Sequence, residues 1–423
     1  MTAVITGVGV VSAFGDGARA LFDGLSSGRS GIRRISNFDA STFPTHVAGE
    51  VPVASVDARF LGDSIDNNAL ASRLAEIDAL RDRKIAWGLI AAHEAWRDAA
   101  CGEAERDASL VLALGLEQAL LDDFGGVYAN GRIAWEHGAQ SGVRYRSPVD
   151  LTARAVHELL GLRGPTIVNA SACAAGALAV AHAASLIERG AAEVVVCGAA
   201  DSMVNPLGLG GMCRLGAPSP RDELDACRPF DRNRDGLVIG EGAAMFVVEH
   251  EDRARARGVR LYARIVGWGS TQDGYRATAP RPDGAAAQRA MEKAIARAER
   301  AGVPASTIGY INAHGTGTPL NDPAECKAIH GALGEHANRV AVSSIKGAVG
   351  HLMAASGAIE IAASLVAFER DVLPGTANHQ DRDPECNVDV IGEVPRHARV
   401  DALLSSSFGF GGQNASVVLG RPT

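Results

Sequence analysis

Val168-Asn-Ala-Ser-Ala-Cys173-Ala-Ala-Gly176 is the stretch from which the rest of the 423-residue chain is read. Ahead of it, Gly164-Pro165-Thr166-Ile167-Val168 joins a Gly-Pro turn to a β-branched run, the marks of a short buried strand. Behind it, Ala174 to Ile187 is dominated by Ala, Leu and Val without a polar face, which predicts a helix buried all round. Cys173 therefore falls where a strand stops and a helix starts. The unpartnered N–H groups of a first helical turn carry about half a positive charge and favour thiolate over thiol. Small neighbours, Ala172, Ala174, Ala175 and Gly176, leave room for a bulky group against the sulfur. Taken alone, a cysteine among alanines is more simply a small core residue. Two histidine motifs downstream turn the reading toward chemistry.

The length suits two domains or one fused α/β unit with a large core. Apolar residues make up 47%, aromatics only 5%, and there are 49 glycines, a balance that fits a closely packed α/β protein. A formal net charge of −8 argues against non-specific nucleic-acid binding and leaves room for a local basic patch facing an acidic partner. The seven cysteines (101, 173, 197, 213, 227, 326 and 386) form no CxxC pair and no zinc spacing, as expected of free thiols in a reducing compartment. No apolar run approaches the roughly 18 residues of a membrane span, and Met1-Thr-Ala-Val-Ile-Thr-Gly reads as an immediate strand. The expectation is a cytoplasmic protein with neither a membrane nor a nucleic-acid partner.

Strands and helices alternate along the chain. Strands are expected at 3–11, 109–114, 193–198 and 243–249, and an amphipathic helix at 79–100 that opens with Arg81, Arg83 and Lys84. Gly208-Leu-Gly-Gly-Met-Cys-Arg214 reads as a glycine-rich loop. A basic helix at 252–257 is the expected boundary between halves 1–251 and 252–423. Beyond it, strands are expected at 262–267, 308–313, 340–344, 402–406 and 416–419, with helices at 284–301, 323–333 and 352–368. The helices after Cys173 and His351 echo one another, Ala-Ala-Gly-Ala-Leu…Ser-Leu-Ile-Glu-Arg against Ala-Ser-Gly-Ala-Ile…Ala-Phe-Glu-Arg. That echo suggests two duplicated halves, each with a central buried helix.

Three polar groups fall just past strands, where reacting groups gather in α/β sheets: Cys173, His314 and His351. His314 lies in Asn312-Ala-His-Gly-Thr-Gly-Thr318-Pro and His351 follows Lys346-Gly-Ala-Val-Gly350. Any one histidine alone is more simply a satisfied core or surface residue, but both sit in Gly/Thr/Ser loops. The fourth piece is Phe408-Gly-Phe410-Gly-Gly412. Its glycines, Gly409, Gly411 and Gly412, suit either a plain hairpin or a close backbone approach to a ligand.

With these residues assembled, the chain resembles β-ketoacyl-[acyl carrier protein] synthases of the type II elongating class, which are condensing enzymes of the thiolase fold. The resemblance runs nearly end to end. It is carried by Ser171-Ala-Cys173, Arg234-Asp-Gly236…Gly240-Glu-Gly242, His314-Gly-Thr-Gly-Thr-Pro, Lys346…His351 and Gly409-Phe-Gly-Gly412. It implies an α/β thiolase-like fold of two pseudo-repeated halves in five α/β/α/β/α layers. It implies acyl transfer to Cys173, then decarboxylative condensation with a malonyl group on a carrier protein. His314 and His351 would hold the malonyl thioester carbonyl, and the N–H groups of Cys173 and Phe410 would form the oxyanion hole. Lys346 would tune the histidine pair, with Glu325 as its balancing carboxylate. Thr316, Thr318 and Thr278 would line the phosphopantetheine arm of the carrier, the one cofactor-like group implied, with none bound permanently. Phe410, with Phe408, would gate acyl entry against the loop around Asp273. Arg81, Arg83, Lys84 and Arg214 would meet the acidic acyl carrier protein. The subunit would pair as a homodimer or as a heterodimer with a related ketosynthase-like chain.

Some positions depart from the family pattern. Residues 120–160 are rearranged, Arg276 stands where a histidine is common, and Ser406 where an asparagine is usual. These leave the acyl group open between fatty-acid and polyketide or polyene chains. The alternatives are a non-catalytic chain-length-factor subunit, which usually lacks the cysteine, and a coenzyme-A-dependent thiolase, which would need a second active cysteine near the last glycine loop.

Overall fold

The computed structural model describes residues 2–52, 82–115, 128–129, 132–133 and 150–422. Ten strands of its main twelve-stranded sheet fall into two sets of five. The first is β1 (Ala3–Ser12), β2 (Ser109–Leu114), β3 (Thr166–Asn169), β4 (Val194–Ser202) and β5 (Glu241–His250). The second is β6 (Ala263–Gln272), β7 (Ile308–Asn312), β8 (Ala341–Ser343), β9 (Ala402–Gly409) and β10 (Gln413–Gly420). In space the first set runs β3-β2-β4-β5-β1 and the second β8-β7-β9-β10-β6, the same order twice. The pairing matches too: three parallel strands, then two antiparallel ones. The sets join where β1 lies antiparallel to β6, with Ala3 opposite Ile265 and Ile5 opposite Ala263. That register is symmetric about Val4 and Arg264, as a duplicated fold requires.

The helices repeat in step. They are α1 (Arg83–Asp98), α2 (Leu151–Leu160) and α3 (Ala175–Glu188), then α4 (Ala285–Arg300), α5 (Asn321–Leu333) and α6 (Ser356–Ser364). Most of these strands are covered on both faces, so their residues divide between two cores. β4 sends Val195, Cys197 and Ala199 to the centre, and Val194, Val196 and Ala200 toward α1 and α2. In the second half Tyr310 of β7 faces the centre, while Ile308 and Ile311 pack with α4 and α5. Five layers result: α1 and α2, the first five strands, α3 with α6, the second five strands, and α4 with α5.

The middle layer is closely packed. A Cβ on Gly176 would lie 2.5 Å from the Ala358 nitrogen, and one on Gly357 would lie 2.5 Å from the Ala177 nitrogen. The two central helices thus cross on a reciprocal pair of glycines, backbone against backbone. Each is preceded by a 3-10 turn, Ala172–Ala174 or Met353–Ala355, and Ala172 and Met353 share a φ of 47°. Gly357→Val is expected to cost about 3 kcal/mol, the upper end for an overpacked core, because no rotamer relieves a backbone clash. Gly211→Ala is the control, since a Cβ there meets nothing within 4 Å. Urea midpoints at constant slope measure both; equal midpoints would contradict the close crossing.

Several elements differ from the sequence reading. β3 is not buried: it is the outer edge of the sheet, with Thr166 exposed and Ile167 38% exposed. α3 is mostly buried, with Leu178, Ser185, Leu186 and Glu188 half-buried and His182 exposed. Residues 208–214 belong to a helix, Pro206–Arg214, rather than a loop. The Asn205 side chain caps it by accepting from Gly208 N–H, and Pro206 opens it, so the start signals outweigh three interior glycines. Most of the stretch 120–160, expected from the sequence to be rearranged, lies outside the described residues.

Candidate active site

The parallel strands of both halves end on a common cavity of about 380 Å³. Cys173, His314 and His351 all line it, and so do Thr278, Thr316, Thr318, Phe408, Gly409, Phe410, Gly412 and Asp273. Lys346 and Glu325 stand behind this wall, and Gly411 lies off it. Cys173 sits in the turn after β3, His314 two residues beyond β7, and His351 past a short helix, Lys346–Val349. The trio brought together by motif reading is one constellation in space.

Both imidazoles are fixed as one tautomer. The His351 Nδ1 accepts the Met353 N–H at 3.2 Å and pairs with Ser356 Oγ at 2.7 Å. The Lys346 Nζ lies 3.3 Å from His314 Nδ1. With Nδ1 engaged as acceptor in each ring, the proton resides on Nε2. The rings meet edge to face, 5.3 Å between centroids at 84°, and Phe408 packs on His314 at 5.6 Å. Burial, with Lys346 and His351 adding to it, holds the His314 pKa well below 6.5. Burial and then Lys346 do the same for His351. The site therefore offers two neutral N–H donors at pH 7.

Lys346 is buried and donates to the His314 carbonyl at 2.6 Å. Its balancing carboxylate is Glu360, on α6, not Glu325. The other Glu360 oxygen accepts from Ser407 Oγ at 2.8 Å. Glu325 instead shapes the histidine loop, taking the His314 and Gly315 N–H groups at 2.8 Å each. Burial pushes its pKa up to about 8, against those two donors. Asp322, which motif reading passed over, holds the next turn by accepting from Thr316, Gly317 and Phe230 N–H. Glu360→Gln is expected to cost about 3–5 kcal/mol, because it strands a buried ammonium. Glu325→Gln keeps one acceptor and should cost about 1–3 kcal/mol. Chemical denaturation ranks the two, and the reverse order would return the countercharge to Glu325.

The thiol is not pre-ionised. Burial pushes the Cys173 pKa up to about 12, opposed by Lys346 and by a hydrogen bond from Phe410 N–H. The helix-start argument for a thiolate is outweighed because α3 begins only at Ala175, and Cys173 is 6% exposed. Gly409 approaches so closely that a Cβ there would lie 2.9 Å from the Cys173 nitrogen. The facing loop is tied to this one: Asp273 N–H donates to the Gly412 carbonyl, Asp273 Oδ1 accepts from Asn414, and Gly411 N–H donates to Ala277. Thr316 and Thr318 share a hydroxyl contact of 2.8 Å, while Thr278 and Arg276 are exposed where they line the cavity.

Two expected carrier contacts are overturned. Arg83 turns inward to the fully buried Glu241 and stacks on Trp87, and Lys84 is buried against Asp82 at 3.3 Å. Partners 158 residues away in sequence cannot be read from the helix pattern. Arg214 is exposed at the end of its helix, beside the lining residue Leu215. Arg81 lies outside the described residues.

A buried thiol sharing one cavity with two neutral imidazoles, at the strand ends of a duplicated five-layered fold, defines an acyl-transfer site of the thiolase-like class. Residues 2–254 match the beta-ketoacyl synthase N-terminal domain and residues 262–380 its C-terminal domain. The chain belongs to the beta-ketoacyl synthase family. It is 36% identical to the tetracenomycin polyketide synthase ketoacyl synthase alpha subunit of Streptomyces glaucescens, over 99% of this chain and 97% of that one. It is 34% identical to 3-oxoacyl-[acyl-carrier-protein] synthase 2 of Coxiella burnetii, over 99% and 98%. Among solved structures, a beta-ketoacyl synthase from Burkholderia phymatum aligns at TM-score 0.85 with 29% identity and full coverage of both chains. The complex of AntDE with AntF, a type II polyketide synthase acyl-carrier protein with its hexaketide-bound ketosynthase, aligns at TM-score 0.83 with 27% identity, over 100% and 99%.

Proposed function

We propose that this protein is a 3-oxoacyl-[acyl carrier protein] synthase that lengthens a fatty-acid or polyketide-type chain held on Cys173. The single observation that carries the reading is the shared cavity of Cys173, His314 and His351. In the first step the Cys173 sulfur loses its proton and attacks an acyl thioester on the carrier's phosphopantetheine arm. The free arm thiol leaves and a thioester remains on Cys173. Developing oxyanion charge falls to the Cys173 and Phe410 N–H groups, each such donor being worth about 3–4 kcal/mol. A malonyl thioester then places its carbonyl against the two Nε2–H groups. Carbon dioxide departs, the electron pair becomes an enolate, and its carbon attacks the Cys173 thioester. The 3-ketoacyl chain leaves on the carrier and Cys173 takes up a proton.

Thr278, Thr316 and Thr318 supply hydroxyls along the arm's path, and Phe410 is the gate between arm and acyl spaces. Of the basic set, Arg214 and Arg81 remain the carrier contacts. The partners are an acyl carrier protein and a second ketosynthase-like subunit, and the exposed edge of β3 is open to such pairing. Among the described residues no helix is long and apolar enough to cross a membrane, which suits a cytoplasmic enzyme. The chain divides into working halves near residue 251. A non-catalytic partner subunit would have no use for Cys173. The test is condensation of malonyl-carrier with acyl-carriers of graded length, with and without a ketosynthase-like partner. Absence of 3-ketoacyl product in every combination would refute the assignment.

A further inference from the structure

The second half retains its own copy of the turn that carries Cys173. Matched as duplicated turns, Ala172–Ala174 corresponds to Met353–Ala355, so Ala354 stands in the place of Cys173. Counted from their first residues, β4 and β9 put Asp201 in the place of Gly409, and Ser202 in the place of Phe410. At the Cys173 turn the Phe410 N–H reaches the cysteine sulfur, and a bare glycine lies over the Cys173 nitrogen. At the Met353–Ala355 turn one side chain takes both corresponding N–H groups. Asp201 Oδ2 accepts from Ala354 N–H at 2.9 Å, and Oδ1 accepts from Ser202 N–H at 2.8 Å. Asp201 is 2% exposed, and Gly115 makes way for it, since a Cβ there would lie 2.2 Å from Oδ1.

We propose that Asp201 is a positioning residue: its carboxylate fills the second half's copy of the oxyanion-binding turn and thereby fixes His351. The linkage is short. Holding the Ala354 N–H holds the preceding residue, Met353, in its left-handed conformation. The Met353 N–H is then aimed at His351 Nδ1, and the ring proton is kept on Nε2. The proposal rests on the reading of His351 as the enolate's donor. It also explains an asymmetry of the duplication: one turn leaves this pair of N–H groups to the cysteine and its substrate, the other closes it with a built-in carboxylate.

The experiment compares Asp201→Ala and Gly115→Ala with the wild type in two separate steps: acylation of Cys173 by acyl-carrier, and decarboxylation of malonyl-carrier. Asp201→Ala is expected to slow decarboxylation about tenfold, well short of the ~10⁴ lost where a carboxylate contacts the catalytic imidazole directly. Acylation should stay within about twofold of wild type, as a merely structural defect would not allow. Formate, small enough to occupy the vacated space, should restore decarboxylation in Asp201→Ala and do nothing to wild type. Gly115→Ala, which displaces the carboxylate without removing it, should reproduce the selective loss. ¹⁵N-histidine spectra should show His351 leaving the pure Nε2–H form in both variants. Equal loss of both steps, no loss, or an unchanged His351 tautomer overturns the proposal. Undiminished decarboxylation in His351→Ala would instead defeat the reading of His351, and the tautomer measurement still judges Asp201 alone.

Discussion

Cys173→Ala protein incubated with an acyl-carrier gains no acyl mass, and its condensation rate falls between about 10³- and 10⁶-fold, the range for loss of a catalytic nucleophile. The reason lies in what remains. Both imidazoles, Lys346 and the Phe410 N–H are untouched, so malonyl binding and decarboxylation persist while the acceptor thioester cannot form. Intact-mass measurement separates the two: an adduct on Cys173→Ala would move the nucleophile elsewhere among the seven cysteines. The pH dependence follows from the raised thiol. With its pKa pushed up to about 12 by burial, Cys173 is protonated at neutral pH, and its alkylation by iodoacetamide should climb with pH without levelling off below about pH 10. A plateau near pH 7 would mean a resting thiolate.

His314→Ala and His351→Ala should each cut decarboxylation of malonyl-carrier by about 10²–10³-fold, as removal of one oxyanion donor does. Acylation of Cys173 should suffer much less. Equal loss of both steps would contradict the division of labour. The native imidazoles both resist protonation, so decarboxylation should hold its rate as pH falls through 6.5, the ordinary histidine value. Stability moves the other way. Below about pH 6.5 the unfolded chain binds two protons that the native state refuses, so these residues favour unfolding increasingly toward acid. Stability measured at pH 7.5 and 5.5 should therefore be closer together in a double alanine variant than in the wild type.

What was legible in the chain were groups whose chemistry is local to a motif. Cys173, His314, His351 and Lys346 stand in glycine-, threonine- or serine-bearing loops after strands, and the structure brings them to one place. The duplicated helices were visible as an echo; the identical strand order was not, because it is a matter of which edges meet. Glu360 was readable in principle, as the lone charge in the apolar run 352–368, where a buried carboxylate demands a partner. Arg83 and Lys84 were misjudged because amphipathic patterning sends basic residues to solvent, and only long-range contacts with Glu241, or a buried Asp82, bring them in. Asp201 was invisible for a related reason: its role depends on a turn 153 residues further along the chain.

The reciprocal glycine crossing at Gly176 and Gly357 has a mechanical consequence. Two helices whose backbones already touch cannot part like a clamshell without exposing the whole apolar middle of the molecule. Admission of a long chain must therefore come from small parts swinging at the rim, and the dimensions of the chamber are set by walls that do not yield.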